Sequence, residues 1–167
     1  MGRKAGITID DIVGAAATIA DRDGLAAATL SAVAAELGIK TPSLYNHIAG
    51  LFGLRRQLAL HAARELAVVI AEAAAGHEPR QALRSAAVAY RKWATAHAGM
   101  YEALLPAATP DGDPELYEAM AVPARHLLAQ FELLGFSEKR AVHLIRGLRS
   151  MLHGFVDLER QGGFGMP

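Results

Sequence analysis

Hydrophobic residues recur at helical spacing along most of this chain, and the clearest short example begins at Leu30. Four apolar residues from Leu30 to Leu37 fall at i, i+3, i+4 and i+7, which places them on one face of a helix. Thr29 is a favoured N-cap residue, and Gly38 is a favoured residue just past a helix end. The pattern therefore predicts a short helix between these two residues.

A second short helix is predicted directly after the first. Thr41 is a candidate N-cap, and Pro42 occupies the first helical position, where its missing N–H costs nothing. Leu44 and Ile48 are its apolar contacts, and the remaining side chains are mostly hydrogen-bonding groups. Two short helices joined by a tight turn, the second with such a polar face, are typical of a helix-turn-helix whose second helix lies in the major groove of DNA.

The same spacing predicts further helices at about residues 8–23, 51–75, 80–97, 100–105, 114–134 and 137–161. Abundant alanine and few β-branched residues also favour an all-helical chain. Gly99 is expected to interrupt the chain between two helices, and Pro123 predicts a kink or a split. We predict an all-α fold with an N-terminal three-helix, homeodomain-like helix-turn-helix unit in residues 1–50. A C-terminal helical bundle for ligand binding and dimerisation is predicted in residues 51–167, with the long helix shared between the two parts.

Residues 7–60 resemble the N-terminal domain of the tetracycline-repressor (TetR) family. The resemblance lies in AAELGI-x-x-x-SLYNHI, preceded by TLSAVA and followed by Leu54 and Leu58. One departure concerns the start of the long helix, where the family often has a phosphate-contacting Lys and this chain has Leu51 and Phe52. Arg55 and Arg56 are the nearest cations that could substitute for it.

The C-terminal part resembles a domain of the same family that is named for a Trp-His-Gly sequence. The matching segments are Leu152-His153-Gly154, with Leu in place of Trp, and Gly162-Gly163-Phe164-Gly165. The resemblance implies a ligand-responsive transcriptional regulator, most simply a repressor. Its partners would be a pseudo-palindromic double-stranded DNA operator, a small apolar or amphipathic effector and a second copy of the chain. It also implies one more helix after this tail. A cytoplasmic location is expected separately, because the sequence shows no signal peptide and no membrane span.

The candidate DNA-contacting residues lie on and around the second short helix. Their side chains can hydrogen-bond bases or phosphates. A surface helix with ordinary polar residues is the alternative interpretation, and the basic arm at the N-terminus is alternatively a disordered end. The set is Thr29, Ser31, Lys40, Thr41, Pro42, Ser43, Tyr45, Asn46 and His47, with Arg3 and Lys4 of the arm.

Aromatic and methionine side chains concentrate in the C-terminal part and form a candidate ligand site, with His97 or His126 as its polar group. For each of them, core packing is the alternative. The set is Tyr90, Trp93, His97, Met100, Tyr101, Leu104, Leu105, Tyr117, Met120 and His126. The last helix is apolar on more than one side, which predicts a dimer interface through Leu144, Leu148, Leu152 and Phe155. The alternative is a central helix of a monomer.

Composition excludes some classes and leaves others open. The net charge is zero, and residues 1–60 carry six basic and five acidic side chains, so the DNA prediction rests on geometry and not on bulk charge. There is no cysteine, the seven histidines show no ligand spacing, and no cofactor or enzyme motif occurs, so we expect no metal, no cofactor and no enzyme. No apolar run reaches 18 residues, so no membrane span is expected. The remaining alternative is a helical dimer that binds a ligand or partner without regulating DNA.

Overall fold

The structure, a computed structural model, describes residues 6–106 and 108–165. Every regular element in these ranges is a helix, which confirms the all-α prediction. The α-helices are α1 (Ile9–Asp23), α2 (Leu30–Glu36), α3 (Gly50–Ala74), α4 (Pro79–Ala96), α5 (Ala98–Ala103), α6 (Pro114–Leu133) and α7 (Glu138–Arg160), with 3₁₀ helices at Leu25–Ala27 and Thr41–Asn46. In the described ranges, none of these helices has both the length and the apolar character required to cross a membrane.

Helix α1 begins with a reciprocal cap between Thr8 and Asp11. The Asp11 backbone N–H donates to Thr8 Oγ1 at 3.2 Å, and the Thr8 backbone N–H donates to the Asp11 carboxylate at 2.8 Å. The bond from the Thr8 backbone, followed by that from the Thr8 hydroxyl, holds the pKa of Asp11 below its ordinary value. The helix ends at Gly24, whose φ of 90° favours glycine. Both ends are those that the sequence predicts.

The first compact unit consists of the described residues of Met1–Ala62 and His97–Ala107. Helix α1 packs on α2 and on α5, and α2 packs on the 3₁₀ helix Thr41–Asn46. Burial of one large aliphatic side chain in such a core stabilises the fold by about 1.5–3 kcal/mol. The largest fully buried side chains of this unit are Ile12, Val33, Leu44, Leu54, Leu58 and Leu60.

The second compact unit consists of the described residues of Ala63–Ala96 and Ala108–Pro167. Helices α4, α6 and α7 pack against one another in this unit. Arg64 of α3 pairs with Glu115 of α6 at 2.9 Å, and Arg91 of α4 pairs with Glu159 of α7. These surface pairs orient the helices more than they stabilise them.

Helix α3 supplies residues to both units, because the division falls between Ala62 and Ala63 within its 25 residues. A single helix that belongs to two units joins them by continuous covalent structure. The functional boundary between residues 50 and 51 stays a prediction.

Helix α6 continues through Pro123 as one element, so a split at this proline is wrong. A proline inside a helix removes a backbone hydrogen bond at a cost of about 3 kcal/mol. Packing of α6 on both α4 and α7 offsets that cost. Ser137 occupies the N-cap position of α7 as predicted, but its side chain makes no capping hydrogen bond.

Candidate nucleic-acid interface

The first helix of the predicted helix-turn-helix is α2, and its ends are built as the sequence predicts. Thr29 Oγ1 accepts the backbone N–H of Ala32 at 3.2 Å at the N-terminus. Gly38 follows the helix with φ of 66°, and the Ile39 N–H donates to the Ala34 carbonyl at 2.9 Å. These bonds close a tight turn that leads into the next element.

The predicted second short helix is present as a 3₁₀ helix, Thr41–Asn46. The N-cap position belongs to Lys40, which makes no side-chain capping bond, so the prediction of Thr41 as N-cap is wrong. Without a side-chain cap, the first turn tightens into i→i+3 bonding, as in the Ser43 N–H to Lys40 carbonyl bond of 2.9 Å. With 6 residues the segment is longer than most 3₁₀ helices, which rarely exceed about 3–4 residues.

The anchors of this segment are Leu44 and Ile48, which are 0% and 3% exposed. The N–H groups of His47 and Ile48 both donate to the Leu44 carbonyl at 2.9 Å, which closes the segment against the core. Two buried apolar residues on one side leave the opposite side of the same segment in solvent. The segment is therefore packed against the core on one side. Its other side, called the outward face, is exposed to solvent.

The outward face carries the predicted DNA-contacting side chains. Tyr45 is 60% exposed, and Thr41 is half-buried. Among the described residues, the side chains between Lys40 and His47 on this face make no hydrogen bond or ion pair. Their donors and acceptors therefore point into solvent and can meet a ligand. The exposed members are Lys40, Pro42, Ser43, Tyr45, Asn46 and His47.

Thr29 and Ser31 lie at the N-terminus of α2 and differ from the outward face. Thr29 Oγ1 is bonded to the Ala32 N–H and lies 3.1 Å from Ser31 Oγ. Thr29 therefore caps the helix, whereas Ser31 is exposed beside it. Arg3 and Lys4 lie outside the described residues. A DNA contact by any residue of the set stays a prediction.

The start of α3, a few residues after the outward face along the chain, shows two exposed apolar side chains. Phe52 is 81% exposed and Leu51 is 45% exposed, at the place where the family resemblance predicts a phosphate-contacting Lys. Arg55 and Arg56 are half-buried one turn further on. Sequence reasoning assigned no role to Phe52, because an apolar residue in the first turn of an amphipathic helix is more often part of the core.

Helix α5 places part of the predicted ligand site in the first unit. Met100, Tyr101 and Leu104 are buried there, and Leu105 is exposed. His97 Nδ1 lies 2.8 Å from Asp21 Oδ2 of α1, so its ring already has a carboxylate partner. Sequence reasoning missed Asp21. The available signal was a carboxylate in the last turn of a helix, where the helix dipole disfavours it.

The other predicted ligand residues lie in the second unit. Trp93 is 5% exposed, and its Nε1–H donates to Glu65 Oε1 of α3 at 3.1 Å. Tyr90 and Met120 are half-buried, whereas Tyr117 and His126 are exposed. The structure therefore divides the predicted ligand set between the two units, and its role in binding an effector stays a prediction.

The predicted dimer residues on α7 also differ in exposure. Leu144, Leu148 and Leu152 are half-buried, and Phe155 is exposed. Met151, which the sequence analysis left out, is 71% exposed, and Leu158 is 49% exposed.

Known proteins resemble this chain along its whole length. The family described as tetracyclin repressor-like, C-terminal domain, matches residues 83–167. The HTH-type transcriptional regulator YobS of Bacillus subtilis (strain 168) is 35% identical, over 98% of this chain and 85% of the relative. The HTH-type transcriptional regulator Rv0681 of Mycobacterium tuberculosis (strain ATCC 25618 / H37Rv) is 33% identical, over 97% of this chain and 74% of the relative.

A solved structure shows the same fold at lower identity. The transcriptional regulator SCO7222, a TetR from Streptomyces coelicolor, aligns with a TM-score of 0.73 and 22% identity. The alignment covers 92% of this chain and 72% of that chain.

Proposed function

This chain belongs to the TetR family of helix-turn-helix transcriptional regulators, and we propose that it is a dimeric repressor that a small apolar or amphipathic effector releases from its operator. Proteins of this family regulate transcription and are generally not enzymes.

The observation that supports the proposal best is the outward face of the 3₁₀ helix Thr41–Asn46. Leu44 and Ile48 hold this segment against the core, while Asn46 and Tyr45 present unoccupied polar groups to solvent. Asn can pair with the major-groove edge of adenine, and a tyrosine hydroxyl can donate to a phosphate. Lys40 adds a positive charge at the start of the same segment.

A dimer would give the two recognition segments a defined spacing. Two-fold helix-turn-helix proteins bind half-sites about 34–36 Å apart, or a multiple of that. The exposed apolar side chains of α7, Met151, Phe155 and Leu158, are a surface that a second copy would cover.

Release by an effector requires different affinities for the DNA-bound and DNA-free states. We place the effector site in the second unit, where Tyr90, Trp93 and Met120 are buried or half-buried among helices. Because α3 belongs to both units, a change in the second unit can reach the DNA-binding unit along one continuous helix.

The experiment compares two variants with a matched control. The probe is a duplex that the wild-type protein selects from random-sequence DNA. Asn46→Ala should cost about 1–3 kcal/mol at one base position, because a base contact is lost. Tyr45→Ala should weaken binding to all duplexes alike, because a phosphate contact is lost. Tyr117→Ala, which removes an exposed tyrosine of the second unit, should bind as the wild type does.

A salt titration adds an independent measurement. Each phosphate that a cation neutralises contributes about 0.9 to the slope of log affinity against log salt. Lys40→Gln should therefore reduce the magnitude of the slope by about 0.9. Tyr45→Ala should leave the slope near that of the wild type, because tyrosine is uncharged. Wild-type affinity in both Tyr45→Ala and Asn46→Ala would contradict the assignment of this segment as the recognition element. No binding to any duplex would instead favour a helical protein that does not regulate DNA.

A further inference from the structure

The carboxylate of Asp21 interacts unfavourably with the dipole of its own helix, α1, and favourably with the N-terminus of α5. It lies in the last turn of α1, where the helix dipole disfavours a carboxylate. Its Oδ1 accepts the backbone N–H groups of Gly99 and Met100, each at 3.0 Å, at the N-terminus of α5. Its Oδ2 accepts a hydrogen bond from His97 Nδ1 at 2.8 Å. These four residues are called the α5 latch.

The backbone of α5 also approaches α1 unusually closely at Gly99. A Cβ on this residue would lie 2.1 Å from the carbonyl oxygen of Ala20, which no side chain tolerates. The sequence predicts that Gly99 interrupts the chain between two helices. It lies instead in the first turn of α5, and its missing Cβ permits the contact with α1. The latch therefore seats α5 in one defined position.

The order of the helices along the chain shows why the position of α5 matters. Helix α5 belongs to the first unit, whereas α4 before it and α6 after it belong to the second unit. His97 is the residue between the last residue of α4 and the first residue of α5. A displacement of α4 therefore reaches His97 first, and His97 makes one of the three hydrogen bonds of the latch.

We propose that the α5 latch must be closed for the second unit to control the DNA-binding unit, in addition to the continuous helix α3, with Asp21 and His97 as positioning residues for that coupling. The closed latch holds α1 against α5, and α2 of the helix-turn-helix packs on α1. An effector that moves α4 or α6 would loosen the latch and change how firmly α1 supports the recognition segment. This inference rests on the proposed function, because it requires DNA binding in the first unit and regulation from the second.

The strength of the bonds suits a switchable contact. Bonds to an ionised group are stronger than neutral ones, yet the side chains of His97 and Asp21 remain 35% and 19% exposed, so water can replace the partner when the bond opens. The backbone N–H groups at the start of α5 can likewise be solvated when they lose Asp21.

The test uses the reciprocity of coupling and requires no effector. If a conformational equilibrium in the second unit alters DNA affinity, DNA binding must shift that same equilibrium by the same factor. Hydrogen exchange of α4 and α6 is measured with and without a duplex selected by the wild-type protein from random-sequence DNA. Fluorescence of Trp93, the one tryptophan of the chain, reports on α4 independently.

The variants separate the latch from general effects on α1. Asp21→Asn keeps an oxygen acceptor for Gly99 and Met100 and removes the charge beside His97. His97→Ala removes the ring and leaves the backbone bonds of α5 available. Asp23→Asn is the matched control, because this residue lies in the same turn and pairs only with Arg22 in the described part of the chain.

In the wild type and Asp23→Asn, the duplex should slow exchange in α4 by about fivefold or more, the lower end of typical coupling. Asp21→Asn and His97→Ala should still bind the duplex. In these variants the ratio of the α4 exchange rates without and with duplex should fall to about one. If His97→Ala loses helical content, Asp21→Asn alone decides.

Four results would overturn the inference. The two latch variants could keep the wild-type response, or the control could lose it as well. The latch variants could fold but no longer bind the duplex, which would make the latch a structural part of the DNA-binding unit. Wild-type protein could bind the duplex without any change in α4, which leaves DNA binding intact and removes the coupling. Failure of the wild type to bind any duplex would overturn the proposed function itself.

Discussion

At the scale of single residues, Gly14 and Gly99 differ in what an added methyl group would meet. A Cβ on Gly14, which is exposed on α1, would have nothing within 4 Å. A Cβ on Gly99 would overlap the backbone of Ala20. The same substitution therefore has opposite expected effects within one compact unit.

Gly14→Ala should raise the free energy of unfolding by up to about 1 kcal/mol, because alanine is the better helix former. Gly99→Ala should lower it by about 1–3 kcal/mol or more, because α5 must move away from α1. Thermal unfolding followed by circular dichroism measures both. A Gly99→Ala variant with wild-type stability would show that α5 does not approach α1 as closely as described.

At the scale of an element, the end of α7 is held to α4 by several contacts at once. Gly162 has φ of 73°, and the Gly163 N–H donates to the Leu158 carbonyl at 2.7 Å, which ends the helix in a Schellman motif. The Phe164 ring then lies 4.6 Å from that of Phe155. Arg91 of α4 lies 5.6 Å above the Phe155 ring, so one cation serves both the ring and a carboxylate.

The ion pair of Arg91 and Glu159 should make this attachment sensitive to acid. The hydrogen bond from Arg91 holds the pKa of Glu159 below its ordinary value. A lowered carboxyl pKa contributes stability above the unfolded-state pKa and loses it as pH falls through the folded-state value. Arg91→Gln should therefore lower Tm at neutral pH, and its difference from the wild type should shrink below about pH 4.

The difference should not vanish entirely, because the contact of Arg91 with the Phe155 ring does not titrate. Arg125→Gln is the control, since its partner Glu118 lies in the same helix and joins no second element. A Tm difference for Arg91→Gln that stays constant from pH 7 to pH 3 would contradict the assigned role of the ion pair.

At the scale of the whole molecule, the exposed apolar side of α7 decides which residues should form the proposed dimer interface. The most exposed apolar residue of the helix is Met151, with Phe155 and Leu158 on the same side. Leu148 and Leu152 are half-buried, so charged substitutions there would damage the protomer as well as an interface. Met151 is therefore the better site for a test.

Met151→Glu should convert the dimer to a monomer and weaken operator binding, because an uncompensated charge would be buried against the second copy. Ser150→Glu places the same charge on the neighbouring exposed residue, away from the apolar side, and should remain dimeric. Sedimentation at micromolar concentration measures both. A monomeric wild type would exclude the dimer, and a dimeric Met151→Glu would locate the interface elsewhere.

The amino-acid sequence by itself determined the helices and the helix-turn-helix, because the signals that define them act over a few residues. Thr8, Gly24 and Thr29 cap or end helices through bonds to neighbours within four positions. Leu44 and Ile48 are spaced to bury one side of the recognition segment and expose the other. The resemblance in that region was sufficient to identify the family.

Only the tertiary structure decided which side chains meet across the chain. His97 lies 76 positions from Asp21, and no local pattern connects them. Sequence reasoning therefore did not connect His97 with Asp21, and it assigned Gly99 to a break, although His97 and Gly99 both lie in the contact between α1 and α5. Helical spacing likewise predicted an apolar surface on α7 without deciding which part the protomer covers for itself. Burial depends on what the rest of the chain packs against, and a periodic pattern records only that an apolar side exists.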